Sequence, residues 1–311
     1  MTKLRIGVIG VGHLGKHHAR ILGEIARETG NVELTAVVDV LPDRAAEIAA
    51  PSGALAFTDF HQLYGKVDAV CLAVPTSDHA RVGLELLEND IDVLVEKPIT
   101  STIDEAKALI AAAERNGRIL QAGHVERFNP VVRAATEVAT QPQFFEIHRL
   151  AVFTPRSLDI DVVLDLMIHD LDIVLSLVRS PVAEVRAVGI AVLSRKADIA
   201  NARVEFQNGC VANLTASRVS FEKVRKLRFF QPSDYISVDY ALQAGTMVSL
   251  RMGRVTERKL EPANAEPLRL ELESFVDCVR TRKSPLVRGE DGLRALELAM
   301  MINEQIARRS N

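Results

Sequence analysis

Three groups of residues in this sequence have the types and spacing for chemistry. Gly10-Val11-Gly12-His13-Leu14-Gly15 is a GxGxxG. Its glycines permit a tight turn, admit a pyrophosphate against the backbone and let a helix pack closely on a strand. Asp165 and His169 stand four apart, a spacing that puts a carboxylate and an imidazole on one face of a helix. Imidazole titrates near neutrality and suits proton transfer at ordinary pH. Lys97, between Glu96 and Pro98, is an ammonium beside a carboxylate in a segment stiffened by proline. Each has a plainer explanation when taken singly. Tight strand–helix packing needs glycines, exposed Lys–Glu pairs are common, and a histidine in so apolar a segment is often a core residue.

The elements that must position these groups are legible in the hydrophobic pattern. Apolar runs predict strands over Leu4–Ile9, Leu34–Val38, Ala54–Phe57, Val67–Val74, Ile91–Val95 and Arg118–Gln121. Helical patterns lie between them, over Leu14–Ile25, 43–50, Ser77–Glu88 with Ser77 as N-cap, and Ser101–Arg115. Such alternation implies right-handed crossovers and a parallel sheet with helices on both faces. The GxGxxG then opens the first helix, whose N-terminus offers N–H groups to a phosphate. Asp39 ends the second strand, placed to accept hydrogen bonds from a ribose. A carboxylate there repels a 2′-phosphate, so NAD is expected and NADP is disfavoured; Arg44, one helical turn on, pulls the other way. Gly10–Lys16 also fits the start of a P-loop, but His17 stands where the magnesium-binding hydroxyl is needed.

After about residue 140 the pattern becomes a run of strands: Gln143–Val152, Val185–Leu193, Ala202–Phe206, Val211–Ser217, Leu227–Tyr240 and Thr246–Met252, with a turn at Gln207-Asn208-Gly209. One helix, Val162–Val178, interrupts them, and helices near 268–281 and 290–308 close the chain. The expected fold is α/β: a Rossmann doubly wound parallel sheet over 1–123, then an α+β domain with a largely antiparallel open sheet over 124–311. The closing helices are free in this reading to pack back on the first domain.

Composition narrows the partners. Of 311 residues, 48% are hydrophobic, and 38 Lys and Arg against 41 Asp and Glu leave a net charge of −3. That excludes a disordered chain and a polybasic nucleic-acid binder. Cys71, Cys210 and Cys278 lie far apart and form neither a disulfide framework nor a CxxC zinc site. The N-terminus does not read as a signal peptide, and no apolar stretch reaches the ~18 residues of a spanning helix. A cytoplasmic protein is expected, with no nucleic-acid or membrane partner. His13 and His17 share a helix face but read as solvated or cofactor-edge residues, so no metal is expected.

In order along one chain, the GxGxxG, Pro75-x-x-x-His79, Glu96-Lys97-Pro98, Gly123-x-x-x-Arg127-Phe128 and Asp165-x-x-x-His169 resemble the Gfo/Idh/MocA oxidoreductases. The resemblance implies that Gly10, Gly12, His13, Leu14, Gly15 and Asp39 hold the dinucleotide. It implies that Pro75, Thr76 and His79 border its pyrophosphate and nicotinamide side, and that Glu96 and Lys97 sit near the nicotinamide. Lys97, Arg127, Asp165, His169 and Arg225 would meet the substrate. His169 would act as general base, Lys97 would stabilise the reacting oxygen and Asp165 would tune or position. The implied reaction is NAD-dependent oxidation of a secondary alcohol of a sugar or sugar nucleotide to a ketone. A homo-oligomer, dimer or tetramer, is implied through the exposed sheet face, with Phe229, Phe230, Tyr235 and Tyr240 as candidate contacts. His169-Asp170 also mimics the HD phosphohydrolases, but the further His and Asp ligands of that site are missing.

Two features bear on the substrate. Ser157-Leu158-Asp159-Ile160-Asp161 stands where sugar and inositol dehydrogenases of the family carry a glycine pair. Residues 218–228 hold five cations, Arg218, Lys223, Arg225, Lys226 and Arg228, which read either as a solvated face or as a receptor for a diphosphate. That stretch, with Asp234–Tyr240, resembles the branch containing the UDP-N-acetylglucosamine 3-dehydrogenases of lipid A precursor synthesis. Dehydrogenation of a free sugar, polyol or inositol is the alternative, and a non-catalytic NAD-sensing regulator is the alternative of another class.

Overall fold

The computed structural model describes residues 3–154 and 160–310. The chain divides into two compact units, one formed by residues up to His124 with Leu268–Leu293, the other by Val125–Pro267 with the chain from Arg294.

The first unit carries six parallel strands in the order β3-β2-β1-β4-β5-β6. They are β1 (Leu4–Ile9), β2 (Val32–Val38), β3 (Leu55–Phe57), β4 (Ala69–Leu72), β5 (Asp92–Glu96) and β6 (Leu120–Gly123). Strands β4, β5 and β6 are buried at every residue, and β1 and β2 are buried over their C-terminal residues, because helices cover both faces. The helices are α1 (Gly15–Thr29), α2 (Pro42–Ala49), α3 (Thr76–Glu88) and α4 (Ile103–Arg115). They are joined by most of α7 (Pro267–Thr281), whose Leu272 and Phe275 complete the core around Ile21, Leu22 and Val37.

Element ends move by a few residues from the predicted ones. Ser77 is not a cap: Pro75 precedes α3 and no side chain caps it, so Ser77 already lies in the first turn. Helix α4 starts at Ile103 and not at Ser101, with Thr102 capping it in a reciprocal capping box with Glu105.

The second unit is built on an eight-stranded sheet in the order β14-β13-β12-β11-β7-β10-β9-β8. The strands are β7 (Phe144–Val152), β8 (Val182–Ile190), β9 (Ile199–Phe206), β10 (Val211–Ser220), β11 (Val224–Gln231), β12 (Asp234–Asp239), β13 (Ala244–Arg251) and β14 (Arg254–Leu260). All neighbours are antiparallel except β7 and β10. One face is covered by α5 (Pro130–Val138), α6 (Ile168–Val178) and the greater part of α8 (Gly289–Ser310).

Two expectations change here, and two elements are added. The predicted 227–240 strand is two strands, because Pro232 lacks an N–H for the ladder and Ser233 turns the chain at φ 66°. Helix α5, capped by Asn129 with Pro130 in its first turn, was not predicted, nor was β14, a mostly exposed and charged edge strand. Phe229 and Tyr240 are buried in the core and do not belong to an exposed face. Phe230 and Tyr235 do lie on the opposite face, with ring centroids 4.9 Å apart and Phe144 beside Phe230 at 5.7 Å.

Candidate active site

The strand order of the first unit reverses between β1 and β4, where open α/β sheets bind their ligands. The three glycines after β1 meet three different constraints there. Gly10 has φ 80°, and a Cβ on it would lie 2.7 Å from the Ala73 carbonyl oxygen. A Cβ on Gly15 would lie 1.8 Å from the Gly10 oxygen. At Gly12 a Cβ would meet nothing nearer than the Arg44 guanidinium at 3.9 Å. Two glycines therefore close the turn, and the third leaves room for a ligand against the backbone. No side chain caps α1, so its first N–H groups suit an anion. His13 and Leu14 are exposed at this edge. These features fit a dinucleotide pyrophosphate.

Asp39 is more deeply engaged than its spacing implied. Its Oδ2 accepts the Val11 N–H at 3.0 Å and its Oδ1 the Leu41 N–H at 3.0 Å, which ties the glycine loop to the end of β2. Arg44 approaches Oδ2 at 3.4 Å. The arginine that pulled against NAD is thus an ion-pair partner of the carboxylate that favours it. His13 and His17 meet edge-on at 6.3 Å, and no group of three or more potential metal ligands occurs among the described residues.

Lys97 follows β5 and is half-buried, with a cis peptide bond to Pro98. Glu96 is buried and turns toward α1, where its Oε1 meets His18 Nε2 at 2.9 Å. Its Oε2 accepts the Lys97 backbone N–H at 3.3 Å. Gly123 on β6 makes this possible, since a Cβ there would lie 3.0 Å from both the Glu96 Cα and Oε2. His79, expected along the cofactor, is buried instead. Its Nδ1 lies 2.9 Å from the Pro98 carbonyl oxygen and its Nε2 3.0 Å from that of Val74. Burial lowers the His79 pKa below the usual imidazole value, against the opposing pull of these two carbonyls. Both ring nitrogens are committed to the protein, while Pro75 is exposed and Thr76 half-buried. His18 carries no local signal in the sequence, because its partner is 78 residues away.

In the second unit Asp165 and His169 are both half-buried. The predicted single helix is a π-helical turn over Val163–Met167 running into α6. Such turns are frequent at functional sites. Asp161 starts it by accepting the Val163 and Leu164 N–H groups at 3.0 Å each, and Asn303 of α8 donates to its other oxygen at 3.0 Å.

Directly after His169 begins a buried polar network. Arg149 of β7 donates to both oxygens of Asp170, at 2.7 and 2.9 Å, and to Glu126 at 3.0 Å. Tyr240 donates its hydroxyl to Asp170 at 3.2 Å, and its ring lies under the Arg149 guanidinium at 5.2 Å. Burial works against ionisation of Glu126, but Arg149, Arg225 and Asn129 together hold its carboxyl below the usual range. Burial and the Asp170 charge push Tyr240 well up. Arg127 pairs with buried Asp172 at 3.3 Å, and half-exposed Arg225 stands 3.8 Å from Glu126. From the sequence, Arg127 and Arg225 are expected at the substrate, Tyr240 at an oligomer contact and Asp170 only as part of an HD-like pair; Arg149 and Glu126 carry no expectation because their partners lie on distant elements.

Residues 4–124 match the oxidoreductase family with the NAD-binding Rossmann fold, Gfo/Idh/MocA, and 141–231 match that family's C-terminal domain. The chain is 38% identical, over 97% of each sequence, to UDP-N-acetylglucosamine 3-dehydrogenase of Acidithiobacillus ferrooxidans. The chain belongs to the Gfo/Idh/MocA family. A solved structure of the Acidithiobacillus ferrooxidans enzyme superposes with a TM-score of 0.92 at 37% identity, covering 98% of each chain. A scyllo-inositol 2-dehydrogenase (NAD(+)) of Bacillus subtilis is 26% identical over 96% of this chain and 92% of its own. The first unit is thus an NAD-binding Rossmann fold, and the chain is an oxidoreductase. No helix among the described residues is long and apolar enough to cross a membrane.

Set within that family, the cationic stretch at 218–228 is not one patch. Arg218 is buried, donating to Asp198 at 2.8 Å, to the Ile160 carbonyl at 2.9 Å and to Ser194 Oγ at 3.0 Å. Strand alternation then divides the rest. Arg225 shares the covered face of the sheet with Leu227, whereas exposed Lys226 and half-buried Arg228, the latter paired with Glu146 at 3.2 Å, point the other way. Lys223 is exposed before β11. Of the five, Arg225 alone lies by the Arg149 network. The distinctive Ser157, Leu158 and Asp159 lie outside the described residues.

Proposed function

We propose that this chain oxidises UDP-N-acetylglucosamine at a secondary hydroxyl, in the manner of the UDP-N-acetylglucosamine 3-dehydrogenase it resembles. The observation that carries the reading is the 38% identity over 97% of both chains. Gly10, Gly12, Gly15, Asp39, His13 and Leu14 would hold NAD, with Pro75, Thr76 and the Glu96–Lys97 corner farther along it. When bound, NAD supplies the nicotinamide carbon that accepts a hydride from the sugar.

The protein's part is proton transfer and charge. His169 takes the hydroxyl proton as the carbonyl forms, and Lys97 donates a hydrogen bond to the oxygen as it gains negative charge. Asp165, one turn before His169, orients the sugar or the imidazole. Arg225, half-exposed beside the buried network, and Arg127, held by Asp172, serve the substrate's anionic side. In this reading the first unit holds the cofactor and the second recognises the substrate. The chain works in the cytoplasm in lipid A precursor synthesis, as a homo-oligomer formed through the sheet face bearing Phe144, Phe230 and Tyr235.

The 26% identity to an inositol dehydrogenase favours a second reading, oxidation of a free polyol. The test is NADH formation from NAD with UDP-N-acetylglucosamine, free N-acetylglucosamine and scyllo-inositol in parallel. Turnover confined to the UDP-sugar is expected. Turnover on inositol alone overturns the first reading, and NADH binding without turnover on any substrate points to a regulator.

A further inference from the structure

We propose that His18 and His79 are positioning residues that fix the backbone on either side of Lys97, His18 through Glu96 and His79 through the Pro98 carbonyl. Neither ring reaches a ligand in this arrangement. His18 Nε2 meets Glu96 Oε1 at 2.9 Å, and the other oxygen of that carboxylate accepts the Lys97 N–H at 3.3 Å. His79 Nδ1 lies 2.9 Å from the oxygen of Pro98, the residue that follows Lys97. The lysine is therefore bracketed, with one histidine from α1 and one from α3 holding its two neighbours.

Filling space does not account for these residues. His18 is buried on α1 and its Nδ1 has no hydrogen-bond partner among the described residues, a desolvation cost that an apolar residue would avoid. The bond made by Nε2 is what the position gains in return. His79 faces two carbonyl oxygens, yet a neutral imidazole has one N–H to give. We assign that N–H to Nδ1, so that His79 donates to Pro98 and holds the lysine segment, with Val74 as the secondary contact.

The two histidines thus use different ring nitrogens, which permits a sharp test. A glutamine amide nitrogen falls near the Nε2 position of histidine and an asparagine amide nitrogen near Nδ1. His18→Gln should keep the Lys97 corner and His18→Asn should lose it; His79→Asn should keep it and His79→Gln should lose it. Two readouts on the full-length protein apply. Hydrogen exchange of the peptide spanning 96–99 should speed up by about tenfold in the losing variants, while strand β1 is unchanged. With UDP-N-acetylglucosamine and NAD, kcat should fall by about tenfold in the losing variants, with NADH affinity held within about threefold.

The kcat arm rests on the proposed role of Lys97; the exchange arm does not. If the wild type fails to oxidise the UDP-sugar, the substrate reading fails and exchange alone decides the positioning role. Should a losing variant not fold, Gly123→Ala, which crowds Glu96 and leaves both histidines intact, should give the same two changes. Equal behaviour of Asn and Gln at both positions, or the same preferred amide at both, overturns the proposal.

Discussion

In the first unit, Lys97 is flanked by residues tied down through two buried imidazoles, and the nearby loop is shaped by glycines in close approach to carbonyl oxygens. In the second, His169 precedes Asp170, whose carboxylate is gripped by Arg149 and Tyr240 beside a second buried carboxylate, Glu126. One corner is held mainly by steric fit and hydrogen bonds to the backbone, the other by buried charge. Steric fit fails when a methyl group is added. Buried charge fails when a partner is removed or protonated. The same family fold thus carries two unlike kinds of fragility.

The largest expected effect separates chemistry from support. Lys97→Ala and His169→Ala should each cut turnover by about a thousandfold while NADH affinity, read by fluorescence titration, stays within about threefold. Retained turnover in either removes that residue from the mechanism. Next comes Arg149→Ala, which strands Asp170 and Glu126 without their guanidinium. Urea unfolding should show a loss of about 3–5 kcal/mol, the cost of uncompensated buried charge. A loss no larger than that of an ordinary surface substitution would mean that charge does not hold the second corner.

Smaller effects divide the glycine loop. Gly15→Ala forces a methyl group onto the Gly10 carbonyl and should cost about 1–3 kcal/mol in the same unfolding assay. Gly12→Ala meets open space, so its stability should match the wild type while NADH affinity falls. If both alanines behave alike, the distinction between closing and admitting glycines is wrong.

The smallest effect concerns acid. The Glu126 carboxyl is held below its ordinary value in the folded protein, so its contribution is complete above the unfolded pKa, about 4.3. It is lost as pH falls through the lower folded value. Glu126→Gln should therefore flatten the fall in stability below about pH 4, with thermal melts across that range as the measure. An unchanged acid slope would assign the acid sensitivity to other carboxylates, with Asp198, also held low by Arg218 and three backbone N–H groups, first among them.

Legibility followed the range of the interactions. The Rossmann order could be anticipated because each βα unit is local and each inner strand carries a short, mostly apolar run. In the second unit the helix Pro130–Val138 and the edge strand Arg254–Leu260 were not found, one being short and the other mostly exposed. The hairpin break at Pro232-Ser233 was read through because the flanking residues have uniform strand character. At the site, Gly10, Gly12, Gly15 and Lys97 were placed by motif. His18, Arg149, Glu126, Asp170 and Tyr240 were not, because each has meaning only beside a partner many residues away.

Sequence alone determined the loop chemistry, since a tight turn against a phosphate needs glycines at set intervals and the chain carries them in the right order before a helix. It also settled the alternation of strand and helix, which is written in apolar periodicity. Only the tertiary structure decided which cation of the 218–228 stretch is structural. Arg218 is spent on Asp198, and strand alternation sends Lys226 and Arg228 to the face away from Arg225. Only it showed that Glu96 turns to His18 and His79 to Pro98. The reason is physical: a backbone motif acts within its own few residues, whereas a buried polar side chain takes its role from the partner that folding brings to it.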